Sequence, residues 1–598
     1  MKNSTVSLLK TGDAKFGGIV DFGVQFAMKN QIKDEKLWAK FVDVFRSEID
    51  LHDNGWRCEY WGKMMRGACL TYRYCADEEL YQILEHSVRD MLTTQDSYGR
   101  YSTYPVDDEF RGWDMWGRKY VLTAMLHFYE ICKDERLKQD ILSSMQRHAD
   151  YILSKIGAGE GKRCILTTSY IYGGLNSATI TEPMLALYKV TGEKRYLEFA
   201  QYILATGGTS TGNLLEIATE NKKKPYQYPE TKAYEMMSFF EGALAYYEMT
   251  GEEYYLNAVQ NFVNAVKQSE ITVIGCAGCT HELFDNSAVK QTEKGEYVMQ
   301  ETCVTVTWIR LLARLYNITA DAWIADEIER SAINALYGSM NTNGLKMYHE
   351  PTGEYLESMP FDSYGALYYS RRNIMVGGLK DLEDGTYYGC CACIASAGIA
   401  LVPLYAVVRR GDEIIVNGYY EGEVLAQTEN GAVRLQMSGG YFSNGKCKIT
   451  VRVENKQVLA LKLRVPSWSE RADIVIGGER VQAGVGYYCV EREFTDGESI
   501  ELDFHATLKA HYLNGKVCFS YGGFVLARDS AKEGKDIVGG VVAQETFEFE
   551  KLALADGESV RLCVELGGEK VLLTDYASCN KNWANKSDMM TVWMDIIP

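Results

Sequence analysis

No run of this sequence approaches the ~18 successive apolar residues that mark a membrane-spanning helix. The opening Met1-Lys2-Asn3-Ser4-Thr5-Val6-Ser7-Leu8-Leu9-Lys10 also lacks an apolar core of signal-peptide length. A soluble, cytoplasmic chain is expected. Positive charge is in short supply: 63 Lys and Arg stand against 81 Asp and Glu, a formal net charge of −18. Such a surface repels polyphosphate and anionic lipid, which argues against a nucleic-acid or membrane partner and leaves small or neutral ligands. The 16 cysteines form no short repeated framework and fit a reducing compartment better than a disulfide scaffold. No low-complexity tract or long linker divides the chain, yet 598 residues are too many for one hydrophobic core.

What is present is a recurrent turn, Thr/Cys-x-Asp/Glu-Glu/Lys-x-Leu/Tyr, flanked by helical periodicity. It occurs at Cys75-Ala76-Asp77-Glu78-Glu79-Leu80, Cys132-Lys133-Asp134-Glu135-Arg136-Leu137, Thr191-Gly192-Glu193-Lys194-Arg195-Tyr196 and Thr250-Gly251-Glu252-Glu253-Tyr254-Tyr255, with weaker copies at Lys33-Asp34-Glu35 and Asn317-Ile318-Thr319-Ala320-Asp321. Each copy reads as a helix end, a short turn and an acidic residue at the positive first turn of the next helix. Six such hairpins suggest a closed (α/α)6 toroid with a central funnel of sugar size; an open array of hairpins is the alternative.

Beyond Pro403-Leu404-Tyr405 the texture changes to period-two alternation broken by Asn-Gly, Gly-Gly and Asp-Gly turns, as in 413–420, 448–453, 459–465 and 499–504. The expected architecture is multidomain α + β. A helical toroid over 1–408 carries the catalytic site, a β-sandwich follows over 409–510, and 511–598 form a second β-sandwich or jelly-roll-like domain.

Chemistry concentrates in two segments. Glu301-Thr302-Cys303 precedes a predicted helix, so its side chains sit at a helix entrance. Cys390-Cys391-Ala392-Cys393 follows Tyr387-Tyr388-Gly389. Three thiols and a carboxylate suit a soft four-coordinate cation such as Zn2+, and one thiol could then serve as a nucleophile. A rival set joins Cys276-Ala277-Gly278-Cys279 to two of Cys390, Cys391 and Cys393 in a structural four-thiolate site. Glu282, between His281 and the apolar Leu283-Phe284, has the surroundings that a general acid needs if the pocket is partly dry. His281 reads as a hydrogen-bonded neighbour.

These residues resemble a known family, the β-L-arabinofuranosidases of glycoside hydrolase family 127. The resemblance rests on Glu301-Thr302-Cys303, Cys390-Cys391, the Glu-x-Phe at Glu282, the stretch Thr94 to Thr103, the Thr-Gly-Glu hairpins and Leu461-Lys462-Leu463-Arg464-Val465-Pro466-Ser467-Trp468. It implies a retaining glycosidase in which Glu301, Cys303, Cys390 and Cys391 hold zinc, Cys390 is the nucleophile and Glu282 is the acid/base. Departures exist as well. Family members often continue Cys-Cys with Pro-Pro-Asn or Val-Gly-Thr, whereas Ala392-Cys393-Ile394 follow here. Where arabinofuranoside-active members carry sugar-binding histidines, this chain has Arg118 and Lys119 in Trp113 to Tyr120, and the segment Lys232-Ala233-Tyr234-Glu235.

Guanidinium and ammonium in place of imidazole raise the reading that Arg118 or Lys119 recognises an acidic or modified sugar; the alternative pairs them with local acids such as Asp107, Asp108 or Glu109. Glu59, Lys63, Gln95, Asp96, Trp116, Tyr234 and Tyr388 are further substrate-binding candidates. Trp56, Trp61, Arg66 and the run Tyr364 to Tyr369 are candidates to line the funnel. The expected protein is an exo-acting, zinc-dependent retaining glycoside hydrolase for short oligosaccharides or glycosides. The competing class is a non-catalytic carbohydrate-binding protein with a structural zinc. A homodimer is admitted but not specified.

Overall fold

The computed structural model describes residues 5–52, 55–280, 282–294, 300–349, 353–362, 365–371, 378–537, 539–542, 544, 546–579, 581 and 588–597, of which 347–349 are described by backbone alone. Six helices form an inner ring: α1 (Tyr60–Cys75), α2 (Asp114–Ile131), α3 (Thr181–Thr191), α4 (Ala233–Thr250), α5 (Thr302–Thr319) and α6 (Cys390–Ala406). Neighbours in this order pack against one another, and α6 returns to α1, closing the toroid. An outer layer consists of Glu35–Ser47, Glu78–Leu92, Glu135–Lys155, Lys194–Ala205, Glu253–Ser269 and Ala322–Arg330.

The repeated turn explains this inner-to-outer reversal. α1, α3, α4 and α5 end in a left-handed residue, Ala76, Gly192, Gly251 and Ala320 respectively, whose N–H caps the preceding turn. The next helix then starts at an acidic N-cap. Asp77 accepts the Leu80 N–H, and Asp134 those of Arg136 and Leu137. Outer helices keep one polar face, whereas α6 is buried along its whole length and carries no charged residue. Close approach is set by glycine: a β-carbon on Gly67 of α1 would overlap Ser396 of α6, and one on Gly62 would overlap the Tyr120 backbone of α2.

Two sheets of a sandwich follow, one ordered 7–8, 407–410, 413–416, 457–465, 486–494 and the other 479–484, 471–476, 499–503, 446–453, 431–438, 422–428, 14–16. Residues 7–8 and 14–16, placed by sequence with the helices, thus add edge strands to both sheets. Strands of two and three residues are too short to show alternation. The remaining strands, 508–597, form a third sheet built on 516–521, 524–529, 569–575 and 561–566. The sandwich is fastened to the toroid by Arg464, 1% exposed, which reaches Asp326 and, at 2.7 Å, Glu329 of the outer helix 322–330. Trp468 of the same motif donates to Glu329 at 3.4 Å. Among the described residues no helix is long and apolar enough to cross a membrane.

Candidate active site

The inner helices begin at one mouth of the toroid. Glu301 is the extended N-cap of α5, with Cys303 in its first turn. The strand Tyr387–Gly389 turns directly into α6, so Cys390 and Cys391 occupy a strand-to-helix bend from which adjacent side chains converge. One carboxylate oxygen of Glu301 and the sulfurs of Cys303, Cys390 and Cys391 all lie within 4.8 Å of one another. Cys303 Sγ and Cys390 Sγ are 3.4 Å apart, and Cys391 Sγ donates to Glu301 Oε1 at 3.3 Å. All four side chains are buried; Cys390, at 5%, is the most exposed.

The donor chemistry fits zinc. Tetrahedral bonds of about 2.3 Å to sulfur place donor atoms ~3.8 Å apart, between the short and long separations found here. Electrostatics point the same way. Burial, with the charge of Cys390 added, pushes the Glu301 carboxyl up to about 8. Burial and the neighbouring thiols push Cys303 well above the usual thiol range. At Cys390 the contact with Cys303 acts downward, but Cys391 and burial outweigh it. Four acids facing one another in a dry pocket ionise together only when a cation joins them. The positive ends of α5 and α6 supply part of that compensation.

Lys63 supplies more. Its Nζ lies 3.8 Å from Cys303 Sγ and 2.7 Å from Glu59 Oε1, over the Tyr234 ring at 4.5 Å. Burial acts against its charge, but Cys303 and Glu59 hold the ammonium well above its ordinary value. The Trp116 indole donates to the other oxygen of Glu59, and the Tyr120 and Tyr234 hydroxyls are hydrogen-bonded to each other.

Glu282 reaches this mouth on the loop between the outer helix 253–269 and α5. It adopts a left-handed backbone, φ 62°. Its carbonyl accepts the Ala233 N–H at 2.7 Å and the Phe284 N–H reaches Thr231, pinning the loop to the entrance of α4. There Lys232 is ion-paired with Glu282. Burial opposes the charge of Lys232, yet nearby anionic groups, among them Glu235, Glu301 and Cys390, keep it above the ordinary value. Beneath the loop, Glu270 accepts the N–H groups of Asp285, Asn286 and Ser287 at 3.0, 3.0 and 3.3 Å, and burial pushes it up to about 7. Gly378, at φ +65°, lies against Cys390. Its carbonyl accepts from the Cys390 N–H at 3.3 Å and from Tyr60 Oη at 2.5 Å.

Of the substrate-binding candidates, Glu59, Lys63, Trp116 and Tyr234 lie around the thiols. Gln95 and Asp96 lie elsewhere. Gln95 binds Gly99, Ser144 and Arg147, and Asp96 organises its own turn through Tyr98 and Arg100. Arg118 is wholly buried against Glu109 at 2.7 Å and Asp114 at 3.0 Å, the local pairing weighed above. Lys119 lies over the Trp116 ring at 4.3 Å, and burial pushes it down to about 7. The Tyr388 ring packs between Phe41 and Tyr60, its hydroxyl accepting from Gln31. Tyr368 and Tyr369 bond to Asp595 and Gly539 of the last domain, not to the funnel. His281 and Tyr364 lie outside the described residues.

Cys276, Cys279 and Cys393 are buried but stand outside the four-donor group. Cys276 Sγ contacts Gly278 O at 3.2 Å, and Cys279 Sγ contacts Asp285 at 3.8 Å. Lys232, Glu270 and Gly378 were not read from sequence as site residues. Lys232 stood beside Tyr234 as a signal; one glutamate or glycine among many gives none.

A toroid with this thiol and carboxylate cluster at its mouth is the frame of a glycoside hydrolase, and comparison bears on which. Residues 25–366 match the family model described as "Beta-L-arabinofuranosidase, GH127 catalytic domain", and 413–506 match the GH127 middle domain. The chain belongs to glycoside hydrolase family GH127. It is 20% identical over 528 residues, 79% of this chain and 75% of the relative, to the non-reducing end β-L-arabinofuranosidase of Bifidobacterium longum subsp. longum. A solved GH127 β-arabinofuranosidase superposes with TM-score 0.75 at 17% identity, covering 100% of this chain and 98% of that one. The GH127 β-L-arabinofuranosidase of Geobacillus stearothermophilus T6 gives 0.71 at 18%, covering 99% and 100%. At these identities the superpositions show a common fold.

Proposed function

We propose that this chain is a retaining, exo-acting β-L-arabinofuranosidase in which Cys390 is the nucleophile, Glu282 the acid/base and Glu301, Cys303, Cys390 and Cys391 the ligands of zinc. The observation that carries it is the four-donor group within 4.8 Å, with Cys390 as its most exposed member. Bound zinc would supply the positive charge that keeps the thiols ionised at neutral pH.

In the first step Cys390 Sγ attacks the anomeric carbon as the C–O bond breaks, and Glu282 gives its proton to the departing oxygen. In the second, Glu282 takes a proton from water, whose oxygen attacks the same carbon and returns the electron pair of the C–S bond to Cys390. Two inversions give retention. Lys63 and the helix N-termini favour the thiolate in both resting and returning states. Lys232 holds the Glu282 side chain at the mouth and must yield it to the substrate.

The cations at this mouth already face anions, Lys63 facing Glu59 and Cys303, Lys232 facing Glu282 and Glu235, and Arg118 is paired away from it. A neutral furanoside is therefore favoured over an acidic sugar. A reducing cytoplasm would keep Cys303 and Cys390, 3.4 Å apart, from bridging. The test follows aryl β-L-arabinofuranoside hydrolysis by NMR together with zinc content. Retention by the wild type, and loss of turnover with retained sugar binding in Cys390→Ser, are expected. An inverted first product, or loss of fold and binding together, would remove the proposal.

A further inference from the structure

The same inner helices surround a second, open cavity of about 720 Å³ at the end of the toroid opposite the thiols, lined from the middle turns of α1, α4 and α5 and the first turn of α3 toward their C-terminal ends. Arg66 of α1, Glu182 of α3, Glu241 of α4 and Arg310 of α5 line it. Arg73 and Glu130, 3.5 Å apart and partly exposed, stand at its rim. The volume suits a small ligand of several heavy-atom groups.

Acceptors and donors are unequally matched in this cavity. Glu182 and Glu248 are taken by Arg314 at 3.1 and 2.7 Å, and Glu241 by Arg310 at 3.2 Å. Arg66, by contrast, is 1% exposed, and no described protein group accepts from any of its three guanidinium nitrogens. Arg310 Nη1 also lacks a protein acceptor. Arg66 lines the cavity, and a buried guanidinium with no committed acceptor has the donor set for a carboxylate or phosphate. Because Glu182, Glu241 and Glu248 line the same space, a bare polyanion would meet repulsion, whereas an anion that also bears hydroxyl groups can donate to them.

We infer that this rear cavity is a binding site for a small hydroxylated anion, a sugar phosphate or sugar acid, whose anionic group is held by Arg66 and Arg310. It is distinct from the catalytic mouth. Its lining includes none of the residues placed around the thiols, and the hydrogen-bonded Tyr120 and Tyr234 carry Lys63 over both rings and Arg66 over that of Tyr120 at 5.6 Å. The inference rests on the fold and survives if the catalytic proposal fails.

The test is calorimetric titration of the full zinc-loaded chain with ribose 5-phosphate, gluconate, inorganic phosphate and neutral ribose. One site per chain is expected for ribose 5-phosphate or gluconate, at least tenfold tighter than for inorganic phosphate or ribose. Arg66→Gln should weaken it at least tenfold and Arg66→Lys less. Glu248→Gln, nearer the opening, serves if Arg66 variants do not fold and should loosen ribose 5-phosphate more than inorganic phosphate. Excess L-arabinose should not displace the ligand. No binding by any probe, unchanged binding in a folded Arg66→Gln protein or in Glu248→Gln, equal binding of inorganic phosphate, or displacement by arabinose would each overturn the assignment.

Discussion

Lys63 Nζ stands 3.8 Å from Cys303 Sγ while holding Glu59 at 2.7 Å, so a single buried ammonium serves both a thiol of the cluster and the carboxylate that the Trp116 indole also binds. With zinc bound, three thiolates and one carboxylate leave the cluster negative, and Lys63 is the cation facing it from α1.

Lys63→Met should therefore weaken zinc retention and lower kcat/KM by roughly 10- to 100-fold, the range for partners behind a metal ligand. Chelator competition and steady-state kinetics on the same preparation check this. Unchanged zinc affinity would show that Lys63 serves only Glu59.

Lys232 is ion-paired with Glu282 at the entrance of α4. Lys232→Met removes that anchor, so kcat/KM should fall about tenfold. Steady-state kinetics on the folded variant check this, and an unchanged kcat/KM would show that the ion pair does not position Glu282.

A β-carbon on Gly378 would overlap Cys390 Sγ, and the φ of +65° disfavours any other residue. Gly378→Ala should displace the thiol and reduce kcat by roughly 100-fold. Circular dichroism and thermal melting separate this from unfolding.

Glu270 holds the turn beyond Glu282 through three backbone N–H groups, and burial pushes it up to about 7. A carboxyl raised in the folded state adds stability below its ordinary range and loses it as pH rises through about 7. The melting temperature should thus decline between about pH 4.5 and 7 in the wild type, level off above that, and decline less steeply in Glu270→Gln, measured by scanning fluorimetry across pH.

With zinc held as proposed, its removal would leave Cys303 and Cys390, 3.4 Å apart, free to bridge. Chelated protein kept in air should lose activity that zinc alone fails to restore and zinc with reductant restores. Thiol titration should count two fewer free cysteines. Zinc-loaded protein in air should keep both.

The helical hairpins were legible because every copy carries an acidic N-cap and four of them also a left-handed C-terminal residue, within six residues of sequence. The cluster was legible because Glu301-x-Cys303 and Cys390-Cys391 combine uncommon residue types next to helix starts. Side-chain direction was not. Arg118 and Lys119 are adjacent, yet the helix turns one toward Glu109 and Asp114 and the other over the Trp116 ring, and only packing decides which faces the funnel. The edge strands at 7–8 and 14–16 depend on partners roughly 400 residues away, which no local pattern announces.

The central claim is that Cys390 Sγ bonds to the anomeric carbon. Glu282→Gln protein, given an aryl β-L-arabinofuranoside whose leaving group needs no proton, should form the first covalent species and release it slowly. Peptide mapping by mass spectrometry after a rapid quench should find one pentosyl group on Cys390 and none in the Cys390→Ser, Glu282→Gln double variant. A pentosyl group on another residue, or turnover in Cys390→Ser equal to the wild type, would contradict the account.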